Sequence, residues 1–265
     1  MLGAIAGDII GSVHEFTENA DPGFELFVEG SSPTDDSLLT CAVAAACLEG
    51  RGRYREHLLE AYAAAERVRN GPPTGPGWGT GFAAWAESGG EPGRDSYGNG
   101  AAMRVSAIGW LLGEREAVLR EAELSALPSH AHPEAIRGAR CVAWCVALAR
   151  TTRDPAAVAE AAREFYGELP TLERIRREHE YNETCQGCVP EAMAIACACP
   201  DYESAIRAAC SVRGDADTLA AIAGGVSEAL HGVPGPIARE ARGRLARWYP
   251  LAERQLASVL VAYPR

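Results

Sequence analysis

The sequence predicts an all-α protein. Three observations carry this: apolar residues recur at helical spacing almost everywhere, alternating strand-like segments are nearly absent, and alanine, the best helix former, is abundant. Leu2, Ile5, Ile9 and Val13 mark the first apolar stripe and predict a helix near 2–14. Helical spacing also predicts helices near 36–48, 54–69, 80–87, 100–112 and 114–125. Ile136, Ala139, Val142, Ala143 and Val146 give the stripe of a helix near 133–149, and helices near 155–165, 188–198 and 202–212 follow. Leu219, Ile222, Val226 and Leu230 predict a helix over 217–231, and a last one is expected near 250–261. Gly3, Gly7 and Gly11 leave a smooth strip along the first helix, which suits a helix buried at the centre with another backbone close by. Three stretches rich in Gly and Pro break the helical pattern: 71–80, 89–99 and 127–133. No domain boundary, internal repeat or low-complexity tract interrupts the chain, so residues 1–265 read as a single domain with one multi-layer core.

With 47% hydrophobic and 23% charged residues the composition is that of an ordinary globular protein, which excludes disorder, collagen-like structure and a bare coiled coil. The net charge is −11, and every basic side chain is arginine, with no lysine. Such a field does not favour nucleic acid backbone, but clustered carboxylates can take cations. No apolar run is long enough to span a membrane. The first eleven residues are apolar but contain Asp8 and lack a basic segment, so they make a poor signal peptide. A cytoplasmic location, with the nine cysteines reduced, is expected.

Two acidic clusters stand before apolar helices: Thr34-Asp35-Asp36-Ser37 and Gly214-Asp215-Ala216-Asp217-Thr218. Taken singly, each reads as a helix cap, because Asp, Ser and Thr accept from free N–H groups and acidic residues complement the helix dipole. Two carboxylates apiece are more than a cap needs. Together with two hydroxyls they form a hard oxygen donor set suited to Mg²⁺, Mn²⁺ or Ca²⁺ rather than Zn²⁺. If the two loops met, bound cations would remove the repulsion between carboxylates. A phosphatase reading of Asp215-Ala216-Asp217-Thr218 in the haloacid dehalogenase manner is weak, because Thr218 follows the second Asp directly and the preceding segment is helical.

The loop Ser96-Tyr97-Gly98-Asn99-Gly100 opens a helix, where glycine lets backbone N–H groups approach an anion; by itself it also reads as a plain helix start. His130 and His132 precede Pro133 in a loop, where histidine is usually exposed and idle. Asp8 and Glu15, seven apart, would share one polar face of the first helix. Cys185, Cys188, Cys197 and Cys199 raise a zinc site, but positions 197 and 199 of a helix point to nearly opposite sides, so the cysteines read as small packing residues.

From Met1 to about Pro236 the motifs and their order resemble those of the ADP-ribosylglycohydrolases, the family of the dinitrogenase-reductase-activating glycohydrolase. They are GAIAGDIIGSVHE at 3–15, PTDDS at 33–37, SYGNGAAMRV at 96–105, SHAHPEAIRGA at 129–139, VPEA at 189–192, GDADTLAAIAGGVSEA at 214–229 and HGVP at 231–234. The resemblance implies an all-α fold with a binuclear centre of two Mg²⁺ or Mn²⁺ ions in a cleft. Thr34, Asp35 and Asp36 would supply one side of it, and Asp215, Asp217 and Thr218 the other. Glu15 would be the mobile acidic residue beside the metals. Ser96, Tyr97, Gly98, Asn99 and Gly100 match the loop that holds ADP-ribose, with the glycine backbone on the diphosphate and Tyr97 near adenine. His130 matches a ligand-holding histidine, while His132 has no implied role. In place of the family's usual Gly-Gly-Asp at the second metal motif, this chain has Arg213-Gly214-Asp215.

The implied reaction is metal-dependent hydrolysis at the distal ribose, releasing ADP-ribose from an ADP-ribosylated protein or another acceptor. Glycoside cleavage passes through an oxocarbenium-like state, with Glu15 or a cluster aspartate (Asp35 or Asp36 among them) taking a proton from water. Two alternatives stand beside this reading. One is a non-catalytic relative, either an ADP-ribose binder or a crystallin-like structural protein. The other is a metal-dependent hydrolase of phosphoesters, against which the YGNG and SHAHPE segments argue.

Overall fold

Alanine-rich amphipathic segments fold as helices along the whole chain. The computed structural model describes residues 1–15, 21–50, 52–68, 71–72 and 75–262, and among these it contains fifteen helices and one isolated antiparallel bridge, Gly98 with Thr184. The helices are α1 Leu2–Gly11, α2 Asp35–Glu49, α3 Tyr54–Glu66, α4 Thr80–Glu87, α5 Gly100–Met103, α6 Ser106–Leu111, α7 Arg115–Ala126 and α8 Pro133–Thr152. They continue as α9 Pro155–Tyr166, α10 Leu172–Glu178, α11 Cys185–Ala198, α12 Tyr202–Cys210, α13 Ala216–His231, α14 Gly235–Trp248 and α15 Pro250–Ala262. The fold is all-α, as the sequence predicts, and no helix among the described residues is long and apolar enough to cross a membrane.

Four elements differ from the sequence reading. The first helix stops at Gly11, because the Ser12 hydroxyl turns back on Ile9 O at 3.0 Å and His14 N binds Gly11 O at 2.7 Å. Glu15 therefore sits on a turn and does not share a helix face with Asp8. The single helix expected over 100–112 is broken at Arg104 and Val105, where the Arg104 side chain reaches away to Ser125 O and Ser129 Oγ. Sequence periodicity passes over α10, whose one buried residue is Ile175 among charged neighbours. It also passes over α14, where Gly235-Pro236 looks like a breaker; yet proline in a first turn lacks only an N–H that would have no partner, and Ile237, Ala241 and Leu245 then form the buried stripe. Residue 69, where the third predicted helix was to end, and residues 73 and 74 of the predicted 71–80 loop lie outside the described residues.

The centre of the molecule is α1 against α13. Every residue of α1 is buried, and the glycine strip explains how the two backbones touch. A Cβ on Gly7 would lie 2.2 Å from Ala220 O, and one on Gly11 would lie 2.5 Å from Asp217 Cα. Glycine is required there because no side chain fits between the helices. Tyr202 hydroxyl donates to Gly3 O at 2.7 Å, and the Glu228 carboxylate accepts from Gly3 N at 2.6 Å and from the Met1 ammonium. The buried apolar side chains around this pair form one cluster that runs from Met1 to Val259. The close approach has a functional consequence: it brings Asp8 on α1 beside Asp217 at the start of α13.

Candidate active site

The N-terminal ends of α2 and α13 meet at Asp8. Its carboxylate is fully buried and works as an acceptor hub. Asp8 Oδ1 accepts from Thr34 Oγ1 at 2.6 Å, and Oδ2 accepts from Thr34 N at 3.0 Å, Ser37 N at 3.1 Å and the Ser37 hydroxyl. Thr34 in turn caps α2, its hydroxyl accepting from Asp36 N at 3.3 Å. This local knot fixes the direction in which Asp35 and Asp36 leave the helix. Thr218 Oγ1, from the first turn of α13, donates to Asp36 Oδ2 at 3.1 Å, so the two acidic segments touch although 182 residues separate them.

Two carboxylate groupings result. Oxygens of Asp8, Asp36 and Asp217 lie within 4.8 Å of one another, as do oxygens of Glu15, Asp215 and Asp217. Asp217 belongs to both. Asp36 Oδ1 is buried and has no hydrogen-bond partner. An orphaned carboxylate oxygen amid other carboxylates is costly unless a cation takes it, so the donor set fits hard divalent ions. Among the described residues both groupings are purely carboxylate, and no cysteine joins either. Cys185, Cys188 and Cys199 are buried instead, as expected of packing residues.

The electrostatics agree with that crowding. Burial, outweighing the hydrogen bonds from Ser37 and Thr34, raises Asp8 to about 6. Burial and then the Asp217 charge push Asp35, Asp36 and Asp215 well above the ordinary carboxylate range. Burial and the Glu15 charge raise Asp217 to about 7, and burial with the Asp215, Glu183 and Asp8 charges raises Glu15 to about 7.

Opposite the acidic loops stands the glycine loop. Ser96 Oγ accepts from Gly98 N at 3.3 Å, and Asn99 N donates to Glu183 O at 2.8 Å. Cys185 N donates to Tyr97 O at 3.0 Å, which holds the loop against the start of α11. Asn99 Nδ2 donates to Asp215 Oδ2 at 2.5 Å and so ties this loop to the second acidic cluster. His130 is not the exposed loop histidine of the sequence reading. It is buried, and a Cβ placed on Gly100 would lie 3.1 Å from its Nε2. The other histidine of that loop, His132, caps α8, its Nδ1 accepting from Glu134 N at 3.1 Å.

These parts enclose a cavity of about 260 Å³. Of the residues singled out in the sequence, Glu15, Asp35, Asp36, Ser96, Gly98, Asn99, Gly100, His130, Asp215, Asp217 and Thr218 line it. Thr34 lies behind the wall, and Tyr97 stands outside it, 49% exposed, with its ring edge-on to His132 at 5.3 Å. Arg213 is exposed on the turn after α12. Arg94, Arg104, Tyr181 and Glu183 also line the cavity, and sequence reasoning missed all four. It missed Asp8 as a member of the carboxylate group as well, although a lone Asp on a glycine-striped apolar helix was a visible signal. Gly214 has φ of +121°, and a Cβ there would meet His179 Nε2 and Tyr181 Cα, each at 3.1 Å, so a glycine is required where the second acidic loop passes under residues 179–181.

The sequence matches the family model described as ADP-ribosylglycohydrolase over residues 1–264. Among solved structures, one described as an ADP-ribosylglycohydrolase-related protein complex superposes with a TM-score of 0.67 at 22% identity, covering 99% of this chain and 96% of its own. That identity carries likeness of fold alone. No curated protein matches the chain. With its motifs in order and the family model matched from end to end, the chain belongs to the ADP-ribosylglycohydrolase family.

Proposed function

We propose that this protein hydrolyses the glycosidic bond at the distal ribose of ADP-ribosylated substrates and releases ADP-ribose, using two divalent cations, Mg²⁺ or Mn²⁺. The observation that carries this reading is the meeting of two carboxylate groupings, with an orphaned Asp36 oxygen, at one end of a cavity whose other wall is a glycine loop. Asp36, Asp217 and Asp215 would hold the cations, with Asp35, Thr34 and Thr218 completing the donor set that the family resemblance implies. Bound there, divalent cations supply Lewis-acid orientation of ribose hydroxyls and activation of water.

The chain's own residues do the rest. Gly98 and Gly100, with no side chains, leave room for the diphosphate to lie against the loop, and His130 lines the cavity beside it. Tyr97, exposed at the rim, offers a face for adenine. Asn99 holds the anion loop at a fixed distance from the carboxylates, which sets where the distal ribose falls. Glu15, on a turn rather than inside a helix, has room to move. A carboxyl so placed can accept a proton from water and donate one to the leaving group.

Incubation with Mg²⁺ and peptides ADP-ribosylated on arginine or on serine tests the reading. Free ADP-ribose without inorganic phosphate is the expected product. Release of phosphate would move the protein to phosphoester hydrolysis, and binding of ADP-ribose without release would make it a reader.

A further inference from the structure

Arg104 is wholly buried at the break between α5 and α6, against the floor of the cavity. Its Nη2 donates to Ser125 O at 2.8 Å and to Ser129 Oγ at 3.0 Å, while Nε and Nη1 have no partner. Ser129 Oγ, itself buried, lies 2.8 Å from His130 Nδ1. The far side of the imidazole faces the glycine loop: a Cβ on Gly100 would be 3.1 Å from Nε2, and one on Gly98 would be 3.5 Å from it.

Proton accounting along this chain has one satisfactory solution. A guanidinium can only donate, so Ser129 Oγ accepts from Arg104. The hydroxyl has a single proton, and its other partner is His130 Nδ1. If Nδ1 were the donor, the hydroxyl proton would be buried without an acceptor, and the N–H dipole would point its positive end along the line to the guanidinium. With Nδ1 as acceptor both the Ser129 hydroxyl proton and the ring nitrogen have a partner, and the ring proton lies on Nε2.

We propose that Arg104 and Ser129 are positioning residues that hold His130 as the neutral Nε2–H tautomer, so that its ring donates a hydrogen bond to an anionic ligand over Gly98–Gly100. The ligand half of this rests on the reading of the loop as the seat of the ADP-ribose diphosphate. Burial, followed by the Arg104 and Arg94 charges, holds His130 well below its ordinary range, in keeping with a ring that stays neutral. The donor is then preset before the ligand arrives, and the positive charge that favours the diphosphate comes from Arg104 beneath it rather than from the ring.

Two-bond ¹H–¹⁵N correlation on protein labelled at histidine nitrogen, recorded without ligand, reads the tautomer directly. His130 is expected to show an acceptor-type Nδ1 and a protonated Nε2, with no titration between about pH 5 and 8. Ser129→Ala is expected to shift the ring toward the Nδ1–H form and to weaken ADP-ribose binding by about threefold to tenfold, measured calorimetrically with Mg²⁺ present. Ser129→Thr, which keeps the hydroxyl, is expected to restore both. A protonated Nδ1 in the unmodified protein, or a Ser129→Ala variant with unchanged tautomer and affinity, overturns the proposal. If His130 is the Nε2–H tautomer and the unmodified protein still does not bind ADP-ribose, the reading of the cavity fails, and the ligand half of the proposal falls with it.

Discussion

Asn99 Nδ2 donates to Asp215 Oδ2 at 2.5 Å, joining the glycine loop to the second acidic loop across 116 residues of chain. The glycine loop and the carboxylate groupings are therefore one mechanical unit. Asn99→Ala is expected to lower divalent-cation affinity and ADP-ribose affinity together, each by about tenfold to a hundredfold, as loss of a partner that orients a metal ligand usually does. Isothermal titration of Mn²⁺ and of ADP-ribose against the same variant checks this. Loss of one affinity with the other intact would show that the two loops act independently.

Asp8 is an acceptor for four donors at the start of α2. Asp8→Asn turns an amide NH₂ either toward Thr34 N and Ser37 N or toward the Thr34 hydroxyl, and either way a buried donor loses its acceptor. With Mg²⁺ saturating, urea unfolding is expected to show a loss of about 2–4 kcal/mol. A change within about 0.5 kcal/mol would mean that the hub contributes little.

Gly7→Ala would place a methyl 2.2 Å from Ala220 O, between two buried backbones that have no flexible neighbour to yield. A loss of about 3 kcal/mol or more is expected in the same unfolding experiment. Activity should fall with it, because separating α1 from α13 also separates Asp8 from Asp217.

The raised carboxylates give stability a definite pH dependence. Asp8 at about 6, and Glu15 and Asp217 at about 7, hold protons in the folded cation-free protein that the unfolded chain has already released near pH 4. The folded state binds more protons across that window, so stability is lost as pH rises from about 4 to about 7. The melting temperature of chelated protein is expected to be higher at about pH 5 than at about pH 8, and Mg²⁺ should raise it more at the higher pH. A chelated protein that gains stability with rising pH would contradict the mutual repulsion of these groups.

Much of the fold was legible because periodicity reports burial, and α8 and α13 lie close to where their apolar residues predict. The misses have physical reasons. α14 hides its narrow stripe of Ile237, Ala241 and Leu245 among arginines behind a Gly-Pro start. α10 has no stripe to read, with Ile175 as its only buried residue. The break at Arg104 follows from a tertiary hydrogen bond, which local pattern does not encode. For the site, the two acidic segments are each compact in sequence and so are legible there, and the structure brings them together. Asp8 and Ser129 were not legible, since their roles depend on which groups they meet across 26 residues and across a helix break. Arg94, Tyr181 and Glu183 reach the cavity from loops with no motif of their own.

Substitution of Glu15 tests chemistry apart from binding. Glu15→Gln keeps the size of the side chain and removes its capacity to take up a proton. Turnover is expected to fall by about a hundredfold or more, while ADP-ribose affinity stays within about threefold. Unchanged turnover would remove Glu15 from the proton-transfer role.

The most direct test of the central claim, that the two acidic loops form one cation centre on which ADP-ribose release depends, is to measure release and bound cation together. Free ADP-ribose from arginine- and serine-linked peptides would be quantified alongside cation content by elemental mass spectrometry, in untreated, chelated and Mg²⁺- or Mn²⁺-restored protein and in Asp36→Ala. The account predicts two cations per chain, release from at least one peptide that disappears on chelation and returns on restoration, and loss of both cation and release in Asp36→Ala. Release that persists in fully chelated protein, or in Asp36→Ala without bound cation, would contradict it.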